Sequence, residues 1–116
     1  YLVRGGRRAV LIDCGLPNTF DHLEACLADI GLAPADLDLV MLTHEHIDHA
    51  GGALRLAAHC PVAAHRLAAN KLVLRDEFTM MNRAFAAEID AFEIDLQLDE
   101  GCRINAGGVT LHVLHT

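Results

Sequence analysis

Along "YLVRGGRRAVLID" the apolar positions fall into two short β-rich runs around Gly5-Gly6, a pattern that predicts a hairpin with a two-residue turn. Asp13 closes the second run, and the turn residues of "CGLPNT" follow. Phe20, Leu23, Leu27 and Ile30 then recur at helical spacing, with Asn18 or Thr19 available to cap the start and Gly31 to end the helix. Pro34 opens a turn. The six residues of "LDLVML" have no 3.6-residue rhythm, and between that turn and a polar stretch they predict a buried strand of the parallel kind.

Further on, "GGALRLAAHC" can start a helix, "PVAAH" forms a brief strand and "RLAANKLVL" a second helix. Residues 76–95 are ambiguous; "MNRAFAAEIDAF" favours helix, with Phe85, Ile89 and Phe92 roughly in line. The end, "CRINAGGVTLHVLHT", reads as a hairpin around Ala106-Gly107-Gly108, with Val109, Leu111 and Val113 alternating toward one face. The order is a strand pair, then β-α-β-α, then a strand pair. Repeats and linkers are absent, and 116 residues make one domain at most. Tyr1 opens a strand pattern in mid-stride and "VTLHVLHT" breaks off as one, so the chain is expected to be part of a longer protein.

Hydrophobic residues at 53% support a core, and 22% charged residues exclude a disordered polymer. The net charge of −7 and nine scattered basic residues argue against nucleic acid or a polybasic membrane patch as partner. No apolar run approaches the roughly 20 residues that span a bilayer. Cys14, Cys26, Cys60 and Cys102 lie far apart with no CxxC pair, which predicts reduced, mostly buried thiols and a cytoplasmic location.

The polar stretch after the buried strand, "LTHEHIDHAGG", packs three histidines, two acids and two glycines into eleven positions. His44 and His46 are two apart, so in extended backbone their imidazoles point the same way and make a natural pair of metal ligands. Asp48 and His49 fall where the chain turns toward a helix, near enough to serve the same centre or a second one. Glu45, between the histidines, reads as solvent-facing. Ala50-Gly51-Gly52 adds little bulk, letting backbone or substrate approach. A metal-free polar turn and a closed structural zinc are the competing readings. The structural site usually relies on thiolates, and no cysteine adjoins the cluster. Mixed imidazole and carboxylate ligands suit a catalytic ion with a position open for water, whose pKa falls from about 15.7 to about 7.

"THEHIDHAGG" closely resembles the T-H-x-H-x-D-H-x-G-G signature of the metallo-β-lactamase superfamily. "YLVRGGRRAVLIDCG" is similar to that family's first strand pair with its strand-ending Asp-x-Gly, and "GVTLHVLHT" to the approach to its next ligand motif. The resemblance implies an α+β fold, the αββα sandwich, represented here mainly by the first sheet and its helices. It also implies that 1–116 is the N-terminal part of a single domain whose second half lies beyond Thr116. His44 and His46 would then bind a first metal, and Asp48 and His49 a second, with zinc the expected ion and iron or manganese the alternatives. Asp13 would hold ligands or water by hydrogen bonds, and Thr43 would support the loop.

The family's remaining ligands would lie beyond Thr116; His115 matches the histidine before that motif, not the ligand. His22 falls on the polar side of its helix, and His59, His65 and His112 lack partner spacing and read as surface or core-edge residues. His46 stands where oxygen- and nitric-oxide-reducing diiron relatives usually carry Glu, which favours the hydrolase branch. The implied activity is hydrolysis of an ester, thioester, lactone, amide or phosphoester by metal-bound hydroxide, with Asp48 orienting or deprotonating the water. A small molecule is the expected partner. The alternative is a non-catalytic, metal-stabilised binding or interaction module. With a mean hydropathy of +0.27, one sheet under one helical layer leaves apolar surface open, so 1–116 alone is expected to self-associate through its sheet face.

Overall fold

The computed structural model describes residues 1–116. Strands β1 (Leu2–Gly5) and β2 (Arg8–Ile12) form the expected antiparallel hairpin. Gly5 pairs with Arg8, so the turn is Gly6-Arg7, one residue later than Gly5-Gly6 suggests. Gly6 supplies the positive φ, +56°, that such a turn needs. Gly5 serves another purpose: a Cβ there would lie 2.1 Å from the Ala106 carbonyl oxygen, because the C-terminal hairpin passes directly over it.

Strands β3 (Leu39–Leu42), β4 (Val62–His65) and β5 (Leu96–Leu98) extend the sheet in parallel, in the spatial order β1-β2-β3-β4-β5. Because the order is sequential, crossovers of one hand place their helices on the same face. These are α1 (Phe20–Asp29), α2 (Ile47–Ala50), α3 (Ala53–Leu56) and α4 (Arg66–Val73), with α5 (Asn82–Phe85) in the last connection. Alternation along the strands divides the core accordingly. Leu11, Val40, Leu42, Val62 and Ala64 meet the helical layer at Phe20, Leu27, Leu56 and Leu72. Val10, Leu39, Ala63 and Leu98 face the other way, toward a second antiparallel sheet of β6 (Arg103–Asn105) and β7 (Thr110–His112). The layers are therefore helix, sheet, sheet.

Several elements differ from expectation. Thr19 occupies the cap position of α1, but its hydroxyl donates to the Leu16 carbonyl within a preceding 3₁₀ turn, Pro17–Thr19, and no side chain caps the helix. Ile30 lies past the helix end and is exposed; Gly31, at φ +75°, turns the chain away as its position suggests. The helix expected through "MNRAFAAEIDAF" lasts only four residues. Ala86 takes a left-handed conformation and ends it, and Ile89, Phe92 and Ile94 reach the helical-side core from irregular backbone. Burial there outweighs a weak local propensity, since so short a helix gains little from its own hydrogen bonds. Strand β5, three residues long, begins directly after the ambiguous stretch of 76–95 and was not expected. Leu111 and Val113 pack as expected, but Val109 precedes β7 and is exposed.

Candidate metal centre

The site forms where β2 and β3 end side by side. Ile12, the last residue of β2, pairs with Met41, and β3 runs one residue further to Leu42, so Asp13 and Thr43 each follow directly on a strand end. Asp13 adopts φ +58°, a left-handed conformation that its short polar side chain tolerates better than most. That turn aims its carboxylate back across the strand ends. Oδ1 accepts the Thr43 backbone N–H at 2.8 Å, Oδ2 accepts the Thr43 hydroxyl at 2.8 Å, and Oδ2 also meets His49 Nδ1 at 2.9 Å. Thr43 and His49 thus converge on the Asp13 carboxylate, which fixes the start of the loop.

These bonds assign tautomers. An ionised Asp13 only accepts, so His49 donates its Nδ1 proton and leaves Nε2 with a free lone pair. The Thr43 hydroxyl, its proton turned to Asp13, accepts from His44 Nδ1 at 2.9 Å, which likewise frees His44 Nε2. The three imidazoles stand close: the His44 ring centroid lies 4.5 Å from that of His46 and 4.1 Å from that of His49. Crowding and burial oppose a positive charge. Burial first, and then the His49 and His46 rings, hold the His44 pKa below its ordinary 6.5. A neutral imidazole with a free ring nitrogen is the form that binds metal.

Asp48 and His49 lie on α2, a helix of four residues held by its surroundings. Ile47, fully buried, donates its N–H to the Met80 carbonyl, and His49 gives its carbonyl to both the Cys14 N–H and the Cys14 thiol. Burial pushes that thiol up to about 12, so Cys14 acts as a neutral donor. Gly51 and Gly52 admit backbone, as their small size suggests, and the backbone is the chain's own. A Cβ on Gly51 would lie 2.3 Å from Pro17 Cδ, and one on Gly52 2.6 Å from the Cys14 carbonyl oxygen. Helix α2 therefore packs directly on the turn that carries Asp13.

A buried acceptor without a partner tests whether these residues fit a cation. Asp48 Oδ1 is buried and receives no hydrogen bond, while Oδ2 lies 3.7 Å from His49 Nε2. Buried carboxylate oxygens normally have donors, and a cation would fill that role. No three His, Cys, Asp or Glu donors close on one point as a single ligand sphere. That spacing is compatible with ligands divided between two centres, each needing donors from elsewhere.

Other residues depart from their expected roles. Glu45 is buried, not solvent-facing, because Lys71 on α4 donates to its carboxylate; the sequence offers no signal for a partner 26 residues away. The His115 ring stands edge-on to His65 with centroids 4.4 Å apart, and both line the groove that His44 also borders. His65 also accepts the Leu67 N–H and caps α4, a role its spacing did not reveal. His22 and His59 are exposed, and His22 approaches the exposed Cys26 one turn along α1. All four cysteines are free, with Cys14 and Cys60 buried, Cys102 half-buried and Cys26 exposed.

The perturbed groups set a pH dependence. His44 resists protonation in the folded state, so the unfolded chain binds more protons below pH 6.5 and stability falls with pH through that window. Burial raises the Glu45 pKa, but Lys71 outweighs it and holds the net value below 4.5. The stability from Glu45 is thus present above pH 4.5 and lost as pH falls through its folded pKa. Both effects share one sign. The urea midpoint of chelator-treated protein should be lower at pH 5.5 than at pH 7.5, and His44→Gln should narrow the difference. Equal midpoints would contradict this.

A family model of the Metallo-beta-lactamase superfamily matches residues 1–116. The hydroxyacylglutathione hydrolase of Aeromonas hydrophila is 30% identical over 117 residues, covering 99% of this chain and 36% of that protein. A ribonuclease of Thermus thermophilus is 36% identical over 99 residues, covering 79% of this chain and 22% of its own. Among solved structures, the subclass B3 metallo-beta-lactamase BJP-1 of Bradyrhizobium japonicum superposes with a TM-score of 0.85 at 23% identity, over 98% of this chain and 44% of that one. The chain spans less than half the length of each.

Proposed function

The chain belongs to the metallo-beta-lactamase superfamily, and from that premise we propose that it supplies the N-terminal, ligand-bearing half of a metal-dependent hydrolase. The observation that supports this most is the grouping of three imidazoles with a buried Asp48 oxygen that has no donor. His44 and His46 would hold one ion, and Asp48 and His49 a second; zinc is the first choice, with iron or manganese as alternatives. When bound, such an ion supplies Lewis acidity and a water of lowered pKa. The chain's own residues prepare for it. Asp13 and Thr43 fix the His44 and His49 tautomers, α2 presents Asp48, and Asp48 would orient or deprotonate the attacking water.

A small-molecule ester or thioester is the substrate class we favour. Its supports are the charge of −7, unsuited to a polyanion, and the hydroxyacylglutathione hydrolase aligned along 99% of the chain. No helix is long and apolar enough to cross a membrane, and four free thiols fit the reducing cytoplasm.

Residues 1–116 alone should be inactive and self-associate. An open groove of about 680 Å³ runs along the inner sheet face beside Met41, Leu98, Leu111 and Val113, and Leu114 is 74% exposed. The longer protein should hydrolyse acyl esters or thioesters and lose that activity to a chelator. Sedimentation of 1–116, with an esterase, thioesterase and lactonase panel on both, checks this. A monomeric 1–116 that turns over substrate at the longer protein's rate would refute it.

A further inference from the structure

The histidine-bearing loop is secured from behind by a pair of residues that are not ligands. Backbone and side-chain hydrogen bonds hold its two ends: the Thr43 N–H donates to Asp13, and the Ile47 N–H to the Met80 carbonyl. Between them, the amides of His44, Glu45 and His46 donate to no backbone carbonyl. The chain bends through Thr43, His44 and Glu45, and it brings the His44 and His46 rings within 4.5 Å of each other while Glu45 meets Lys71 on α4. The side chain of Glu45 is only 11% exposed, and Lys71 donates to it from α4. Helix α4 is itself fixed through Ala68, Ala69 and Leu72, all buried in the helical-side core.

We propose that Lys71 is a positioning residue for the metal centre, acting through its ion pair with Glu45 to hold His44 and His46 in a ligating arrangement. Without the ammonium, Glu45 would be a buried carboxylate with no partner. It would then turn outward, taking the loop with it, or compete with the histidines for the ion. Residues that orient ligands from outside the coordination sphere typically change metal affinity about 10- to 100-fold when replaced.

The inference rests on reading His44 and His46 as metal ligands, and the test separates the two. Zn²⁺ affinity is measured on the protein by competition with a chromophoric chelator, and the absorption spectrum is recorded with Co²⁺. Lys71→Met should weaken Zn²⁺ binding about tenfold and alter the Co²⁺ spectrum. Lys71→Arg should restore most of both, and adding Glu45→Gln to Lys71→Met should recover part of the loss by removing the unpaired charge. Lys71 is half-exposed, and thermal unfolding of the metal-free forms verifies that each variant folds. Wild-type affinity in Lys71→Met, or an equal loss with and without Glu45→Gln, would overturn the proposal. The double variant His44→Ala/His46→Ala is run alongside. If it keeps wild-type Zn²⁺ affinity, the ligand reading fails and takes the proposal with it; if it loses Zn²⁺ while Lys71→Met does not, only the positioning role fails.

Discussion

Replacing both His44 and His46 with alanine should abolish tight zinc uptake, while His59→Ala should leave it unchanged. The two cluster imidazoles stand 4.5 Å apart, and the Thr43 hydroxyl holds the His44 tautomer with Nε2 free. Removing both takes away the first proposed ion's donors from this chain and leaves Asp48 and His49 to bind one weakly. His59 lies beyond α3, exposed, and serves as the control for mere loss of an imidazole. Neither change should unfold the protein, because His44 and His46 are only half-buried and the helical-side core contains neither. Elemental analysis after gel filtration reads the result directly. Equal metal in wild type and both variants would remove these residues from the site.

The parts of this structure legible in the sequence were those with short-range causes. His44 and His46 do lie together, although the loop bends through 43–45 where the two-residue spacing assumed extended backbone. Gly31 marked a helix end, and the run "LDLVML", without helical rhythm, marked β3 as buried in a parallel sheet. The illegible parts depend on partners distant along the chain. Glu45 looks solvent-facing until α4 delivers Lys71, and Met80 looks like an ordinary apolar residue until its carbonyl takes the Ile47 N–H. Residues 81–92 carry helical spacing at Phe85, Ile89 and Phe92, yet only the last two are buried, and irregular backbone brings them there. Spacing reports which residues need burial. It does not fix the backbone that buries them when the segment is short and its propensity weak.

Asp13 separates folding from metal binding, and Asp13→Asn is the substitution that should expose the difference. Asparagine, like aspartate, tolerates the left-handed φ of +58°, so the turn before Gly15 should survive. Its amide oxygen still accepts the Thr43 N–H, which the native Oδ1 takes at 2.8 Å. The nitrogen that replaces Oδ2 is a donor, however, and it faces His49 Nδ1 at 2.9 Å and the Thr43 hydroxyl at 2.8 Å. Two donors cannot share that bond, so His49 would move its proton to Nε2, the nitrogen proposed to bind metal. The expected result is zinc affinity reduced about 10- to 100-fold, with thermal stability of the metal-free protein near that of wild type. Asp13→Ala should behave differently. It removes every acceptor and places an ordinary side chain in a left-handed conformation, which costs about 1–2 kcal/mol for the backbone alone, so stability and affinity should fall together. Chelator competition and thermal unfolding on the two variants distinguish the cases. If Asp13→Asn binds zinc as tightly as wild type, the carboxylate does not set the His49 tautomer, and its role is confined to holding the Thr43 turn.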